Sequence, residues 1–172
     1  MALKLGVVGL MLAVLANAIA AGPQTVATVF VFTTTDCPIA NRYAPEIKRL
    51  AERFRTSGVQ FQLVYAVPGD TDAIVRQHVT KFAYYLPYVR DVKLELVKRT
   101  GVSVTPEVAV ENAAGDIVYR GRIDDRYADF GKERVAPTTH DLERALEAIV
   151  AGKPVPVTNT RVVGCYLADL LK

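Results

Sequence analysis

Residues 24 to 33, QTVATVFVFT, are β-branched and aromatic with almost no polar relief, and a cysteine followed by proline, Cys37-Pro38, comes just after them. A strand that does not alternate with polar residues has to be covered on both faces. The chain must therefore supply helices for two sides of a sheet. From Pro38 onward the period changes: Ile39, Tyr43, Ile47, Leu50 and Phe54 recur every three or four positions, with Glu46, Lys48, Arg49 and Arg53 largely off that stripe. This predicts a helix stopping near Gly58 and kinked at Pro45, whose ring removes one backbone donor.

The following segments extend the pattern. VQFQLVYAV, 59 to 67, reads as a second strand ending at a Pro68-Gly69-Asp70 turn. Thr71 or Asp72 caps a helix through about Phe82, with Ile74, Val75, His78, Val79 and Phe82 on its inner side. Residues 92 to 102 predict another helix closed by Gly101. EVAVEN and DIVYRGR, around a turn at Asn112 to Gly115, predict an antiparallel hairpin. Thr138, with Asp141 three residues on, predicts the start of a last helix that ends at Gly152. Two strands joined through a helix, then a hairpin and a closing helix, make an α/β fold: a central mixed sheet with helices on both faces.

With 172 residues and 51% hydrophobic composition, the chain suits one well-buried domain. Its net charge of +3 describes a mixed surface, without the basic, aromatic-interleaved runs that track phosphates, so nucleic acid is not an expected partner. The first twenty residues read as a signal peptide: a short positive start, an apolar stretch and the small-x-small pattern Ala18-Ile19-Ala20. The expectation is cleavage before Ala21 and export to the periplasm or beyond, with no stable membrane association afterwards. This leaves a domain over 21–152 and a tail over 153–172 that carries Cys165.

Export sharpens the meaning of the two cysteines, Cys37 and Cys165, because thiols in an oxidising compartment meet oxidants and disulfides. Cys37 sits where a strand becomes a helix. There the positive helix end favours a thiolate, whereas the neighbouring Asp36 carboxylate disfavours one. Pro38 suits the first helical position, where its missing N–H is not needed. Three residues beyond Cys37 stands Ala40, so no vicinal thiol can resolve a mixed disulfide. Pro154 and Pro156 stop the last helix and extend the tail, which permits Cys165 to fold back. Cys165 is then a resolving cysteine, half of a permanent disulfide worth about 4–5 kcal/mol in the chain-entropy model, or free.

The ordered set TDCPIA, VTPEVAV, DCPIANRYAPEI and GRIDDRY resembles thioredoxin-like proteins, and in particular the bacterial redoxin-domain group associated with alkyl hydroperoxide reductases. The resemblance covers nearly all of residues 24 to 152. It implies a thioredoxin-like fold in which Pro106 is cis and faces Cys37, with Thr105 offering its backbone to an extended substrate. The leading expectation is an exported thiol-disulfide oxidoreductase acting on protein or small-molecule thiols and disulfides, with Cys37 and Cys165 catalytic and Thr34, Pro38, Thr105, Pro106 and Arg122 lining the substrate. A thiol peroxidase is the alternative enzyme: Thr34 has the expected spacing, Phe30 stands where proline is usual, and Arg42, Arg120 or Arg122 would have to reach the sulfur. A third reading is a non-catalytic redoxin fold that binds a partner or a soft metal. For metal, His78 reads as a packed core residue and His140 as solvated, so neither a metal nor a cofactor is expected. Residues 120 to 134 read as a solvated, salt-bridged loop or as a lip where Arg122 and Asp125 orient a substrate, and FAYYLPY, 82 to 88, as a core edge or a partner surface.

Overall fold

The computed structural model describes residues 25–167, so the signal peptide and cleavage point expected from the sequence lie outside the described residues. The first strand, β1 (Ala27–Thr33), faces two ways: Val29 and Val31 enter one apolar cluster while Phe30 and Phe32 enter another. Both sides are buried, as the unbroken apolar run requires. After β1 the chain makes α1 (Pro38–Arg42) and α2 (Ala44–Phe54), separated at Tyr43. Pro45 falls in the first turn of α2, so the expected kink is a break between two helices.

β2 (Val59–Tyr65) lies parallel to β1, with Ala27 opposite Val59 and Thr33 opposite Tyr65. α3 (Asp72–Lys81) follows, its N-terminus capped by the Thr71 side chain. The sequence reading missed β3 (Tyr88–Arg90), a three-residue strand parallel to β2. It is too short to show a period, and the stretch leading into it, 82 to 88, reads as a core edge or a partner surface. The helix expected from residue 92 is α4 (Glu95–Thr100), and it begins later because the buried Asp91 carboxylate accepts from the backbone N–H of Glu95 and Val97, at 2.8 and 2.9 Å.

β4 (Val104–Thr105) is short. β5 (Glu107–Asn112) pairs antiparallel with β1 and with β6 (Ile117–Gly121), giving the sheet order β3-β2-β1-β5-β6. The loop-like stretch after β6 contains a small hairpin, β7 (Tyr127–Asp129) and β8 (Lys132–Glu133). α5 (Asp141–Val150) follows, but its N-cap is His140. The expected Thr138–Asp141 capping box does not form, because Asp125 takes the Thr138 hydroxyl and the backbone N–H groups of Thr138 and Thr139. Leu50 of α2, Val75 of α3 and Leu142 and Leu146 of α5 join the cluster on one face of the sheet, while Val97 of α4 joins the other.

Beyond α5 the tail returns across the sheet. The Arg120 N–H donates to Thr158 O at 2.9 Å, and the Thr160 N–H donates to Arg120 O at 3.2 Å, laying the tail beside β6. The Thr160 hydroxyl then accepts from the Arg122 N–H and bonds Tyr119 Oη, both at 3.0 Å. Gly121 makes this contact possible: its φ is +151°, and a Cβ there would overlap Thr160 Oγ1 and lie 2.9 Å from the Thr160 nitrogen. The tail ends its described course in β9 (Cys165–Tyr166), antiparallel to β4, with Leu167 buried beside Phe32, Val64 and Val97. Gly121→Ala is expected to cost more than about 1 kcal/mol, and hydrogen exchange of the mutant should show lost protection at Arg122 and Thr160 ahead of β1 and β2.

Candidate functional site

Cys37 is the N-cap residue of α1, in extended conformation, and only 2% exposed. The loop that delivers it is held from below by buried polar groups. Asp70, the last residue of the turn after β2, accepts from the Thr35 backbone N–H and hydroxyl. Asn41 donates to Thr35 O at 3.1 Å and accepts from His78 Nε2 at 2.7 Å, while Tyr65 Oη bonds His78 Nδ1 at 2.8 Å. Burial, then Lys81, lowers the pKa of His78 below its ordinary value, which favours this neutral, bridging imidazole. His78 is thus the packed core residue its helical position predicts. Thr34 is buried, and its hydroxyl donates to the exposed Asp36 carboxylate. Pro38 is exposed at the first position of α1, and Ala40 is a core methyl.

A second wall comes from the segment before β5. The Thr105–Pro106 peptide bond is cis, and Thr105 O lies 3.4 Å from Cys37 Sγ, in position to accept from the thiol. Glu107, next in the chain, is 4% exposed, and its carboxylate accepts from the backbone N–H of Ser103 at 2.9 Å and Val104 at 3.3 Å. Arg120 Nε approaches the same carboxylate at 3.7 Å. Burial raises the pKa of Glu107 above the usual carboxylate range, against the lowering effect of the two N–H donors and of Arg120.

The third wall is the tail. Cys165 pairs with Thr105 in the β4–β9 register, and its Sγ lies 2.8 Å from Cys37 Sγ, although 128 positions separate the two residues. The thiols are adjacent and unbonded in this structure. Burial pushes the Cys165 thiol up from 9.0 to about 12, and the hydrogen bond with Cys37 and the charges of Cys37 and Asp36 push the same way. Cys165 therefore keeps its proton at neutral pH, and the two sulfurs share a hydrogen bond that either can donate. Gly164 fixes the approach, because a Cβ there would overlap Thr105 O and lie 2.7 Å from the Thr105 carbonyl carbon.

The arginines are committed elsewhere. Arg122 donates from Nε to Asp141 Oδ2 at 2.7 Å and from Nη2 to Thr139 Oγ1 at 3.2 Å, so its guanidinium belongs to the N-terminus of α5. Arg42 pairs with Glu133, and Arg120 with Glu107 and Gly101 O. Asp125 acts as a loop clamp: burial acts to raise its pKa but is outweighed by the Thr138 and Thr139 donors and by Arg134, which hold its carboxyl well below the usual range. Among the described residues, one group of metal-type donors comes together, Glu46, Asp124 and His140. It contains neither cysteine, and both Glu46 oxygens are taken by Arg49.

Comparison with known proteins follows the same lines. A model of the Redoxin family matches residues 19–133, more than half of the chain. The chain belongs to the Redoxin family. No curated protein sequence matches it. Among solved structures, an uncharacterized conserved protein from Geobacillus kaustophilus is 26% identical with a TM-score of 0.73, over 84% of this chain and 78% of its own. A putative thioredoxin from Neisseria meningitidis is 23% identical with a TM-score of 0.51, over 56% and 64%. A thiol-disulfide oxidoreductase from Bacteroides fragilis is 15% identical with a TM-score of 0.51, over 60% and 77%. The fold of this redoxin is therefore thioredoxin-like, as its motifs imply.

Sequence reasoning missed Asp70, Asn41, Glu107 and Gly164. Only the last two carried a signal: an acid directly after the Thr-Pro pair, and a glycine directly before the second cysteine. Because the folded-state pKa of Glu107 is raised, the folded chain binds its proton more tightly than the unfolded chain does. The stability contributed by that proton is present below the unfolded value of 4.5 and is lost as pH rises through the folded value. Urea titrations from pH 4 to 7 should show the Glu107→Gln variant gaining stability relative to wild type as pH increases; a constant difference would mean that the carboxylate carries no such penalty.

Proposed function

We propose that this redoxin is a thiol-disulfide oxidoreductase in which Cys37 attacks and Cys165 resolves. One observation carries the reading: two cysteines 128 residues apart lie with their sulfurs 2.8 Å apart, where the adjacent helix offers only Ala40. In the reductive direction, the Cys37 thiolate attacks one sulfur of a substrate disulfide; a bond forms to Cys37, the substrate S–S bond breaks, and one substrate thiolate leaves. Cys165 then gives up its proton to the departed substrate thiolate and attacks Cys37 Sγ. The second substrate thiolate leaves, and a Cys37–Cys165 disulfide remains. The substrate gains two electrons and the protein loses two; an external dithiol returns them. The oxidative direction is the reverse.

The geometry divides the labour. Cys37 sits at the head of α1, on a loop held by Asp70 and Asn41, while Cys165 rides on a tail that joins the domain through a two-residue strand and a few anchors. Its raised pKa suits a resolving group that holds its proton until a mixed disulfide forms. Thr105 and Pro106 wall the site, and Thr34 and Pro38 shape the loop and helix that carry Cys37. Membership of the Redoxin family, and similarity in fold to a protein described as a thiol-disulfide oxidoreductase, support the reading. Export belongs to it as well, since an oxidising compartment is where such a pair cycles. No described helix is long and apolar enough to cross a membrane. The peroxidase alternative has less support, because Arg42, Arg120 and Arg122 are each engaged by a carboxylate.

Mass spectrometry of the full chain after stoichiometric oxidation tests the mechanism. Wild type is expected to lose two mass units through a Cys37–Cys165 bond that dithiothreitol reverses, and Cys165→Ser to accumulate a Cys37 mixed disulfide with added thiol. Wild type that accumulates only Cys37 sulfenate or mixed disulfide would exclude resolution by Cys165, and a bond that resists excess dithiothreitol in the folded protein would make it structural.

A further inference from the structure

Arg42 and Tyr43 in DCPIANRYAPEI, and Asp124, Arg126 and Tyr127 at the end of GRIDDRY, have no part in the exchange described above. The fold brings them together. Tyr43 Oη donates to Asp124 Oδ1 at 2.6 Å, and the Tyr43 ring packs on that of Tyr127 with 5.9 Å between centroids. Beside that pair lies a cleft of about 380 Å³, and Arg42, Arg49, Arg126 and Glu46 line it. Its one carboxylate is already spent, because Arg49 donates to both Glu46 oxygens.

Arg42 and Arg126 are held differently. Arg42 Nε and Arg126 Nη1 each stand 3.5 Å from the same atom, Glu133 Oε1, on the exposed strand β8. Two guanidiniums thus converge on one carboxylate oxygen without closing on it, since a charge-assisted bond of this kind is about 2.7–2.9 Å long. Among the described residues, no other acceptor bonds either of them. The cleft also borders the thiols. Cys37 caps α1 and Arg42 ends it, so about 7.5 Å of helix rise separates the two. Tyr127, opposite Glu133 in the hairpin, packs with Cys165 against the apolar cluster that contains Cys37. Burial first, then Glu133, raises the Tyr127 pKa, while Arg42 and Arg126 oppose this and Cys37 adds to it. Sulfur and arginines therefore act on one phenol.

We propose that this cleft selects the substrate of Cys37: a small disulfide whose arms end in carboxylates, one of which takes the place of Glu133 between Arg42 and Arg126. This rests on the exchange reading above and names its substrate class. The volume suits a small molecule, and a guanidinium fork matches a carboxylate on both oxygens. Cys165 gives way, the Cys37 thiolate attacks one sulfur, the S–S bond breaks and a carboxylated thiolate leaves. Cys165 then displaces the second arm, so that the disulfide gains two electrons and the protein loses two. Asp36, next to Cys37, by itself repels an anion. A preference for an acidic disulfide has to come from elsewhere in the site.

The test follows oxidation of the reduced full chain by dithiodibutyrate, which carries two carboxylates, and by its neutral diamide of equal length. Each rate is divided by that of mercaptoethanol with the same disulfide, which removes intrinsic reactivity. Wild type is expected to favour the dicarboxylate about ten-fold. Arg42→Gln and Arg126→Gln should bring that ratio close to one, whereas Glu133→Gln, which removes the competing carboxylate, should raise it about three-fold. Arg161→Gln, an exposed charge on the tail of Cys165, should leave it unchanged; an equal loss there would mean general attraction and overturn the cleft. Reading each variant as a ratio cancels any overall loss of folding or of Cys37 reactivity. If an arginine variant does not fold, wild type and Glu133→Gln still decide. Equal corrected rates for the two disulfides in wild type overturn the cleft and leave exchange by Cys37 standing. Silence toward both from a chain that forms the Cys37–Cys165 bond on oxidation does the same, and silence from a chain that forms no such bond overturns exchange as well.

Discussion

The antiparallel register of β9 on β4, with Cys165 opposite Thr105, is the contact on which the rest of the site depends. It consists of backbone pairing over two residues, so it needs anchors outside itself. Leu167 buried in the second apolar cluster supplies one, and the Thr160 hydroxyl between Tyr119 Oη and the Arg122 N–H supplies the other. Two glycines let backbones meet there: Gly121 beneath Thr160 and Gly164 against Thr105. Take the tail away and Cys37 keeps the Thr105 carbonyl as its neighbour, with no second sulfur beside it.

Beneath the sulfurs lies an unusual amount of buried polarity. Asp70, His78 and Glu107 are each no more than 5% exposed. A buried polar group without a partner costs about 1–3 kcal/mol, so such groups persist where their bonds fix a shape. Here Asp70, Asn41 and His78 fix the loop that carries Cys37, and Glu107 fixes the backbone of β4 through Ser103 and Val104. Two walls held by such bonds thus face a third that rests on a two-residue strand and its anchors. That mechanical contrast is what a site needs if it is to hold one sulfur still while another comes and goes.

The order of elements was legible because it rests on local physics. An unbroken apolar strand, a 3.6-residue stripe after Pro38, a proline that breaks that stripe and a β-turn between EVAVEN and DIVYRGR are each decided within a dozen residues. The same holds for the reading of His78 as core, since its place on the inner side of α3 follows from helical spacing. Less was legible where a distant partner overrides the local signal. Asp125 captured Thr138 and removed a capping box, Asp91 delayed the start of α4, and the short strands β3, β7 and β8 exist because an edge or a turn was there to pair with.

The sequence by itself determined the fold class, the place of Cys37 at the head of a helix and the absence of a vicinal thiol, because these depend on neighbours in the chain. It left the partner of Cys37 open. A proline-punctuated tail states only how far Cys165 can reach, and reach is not position. Tertiary structure decided the rest: Leu167 finds its pocket between β1, β2 and α4, Gly164 slides against Thr105, and Cys165 arrives beside Cys37. Such contacts join residues 59 or more positions apart, and their free energy exists only once the sheet has assembled both sides.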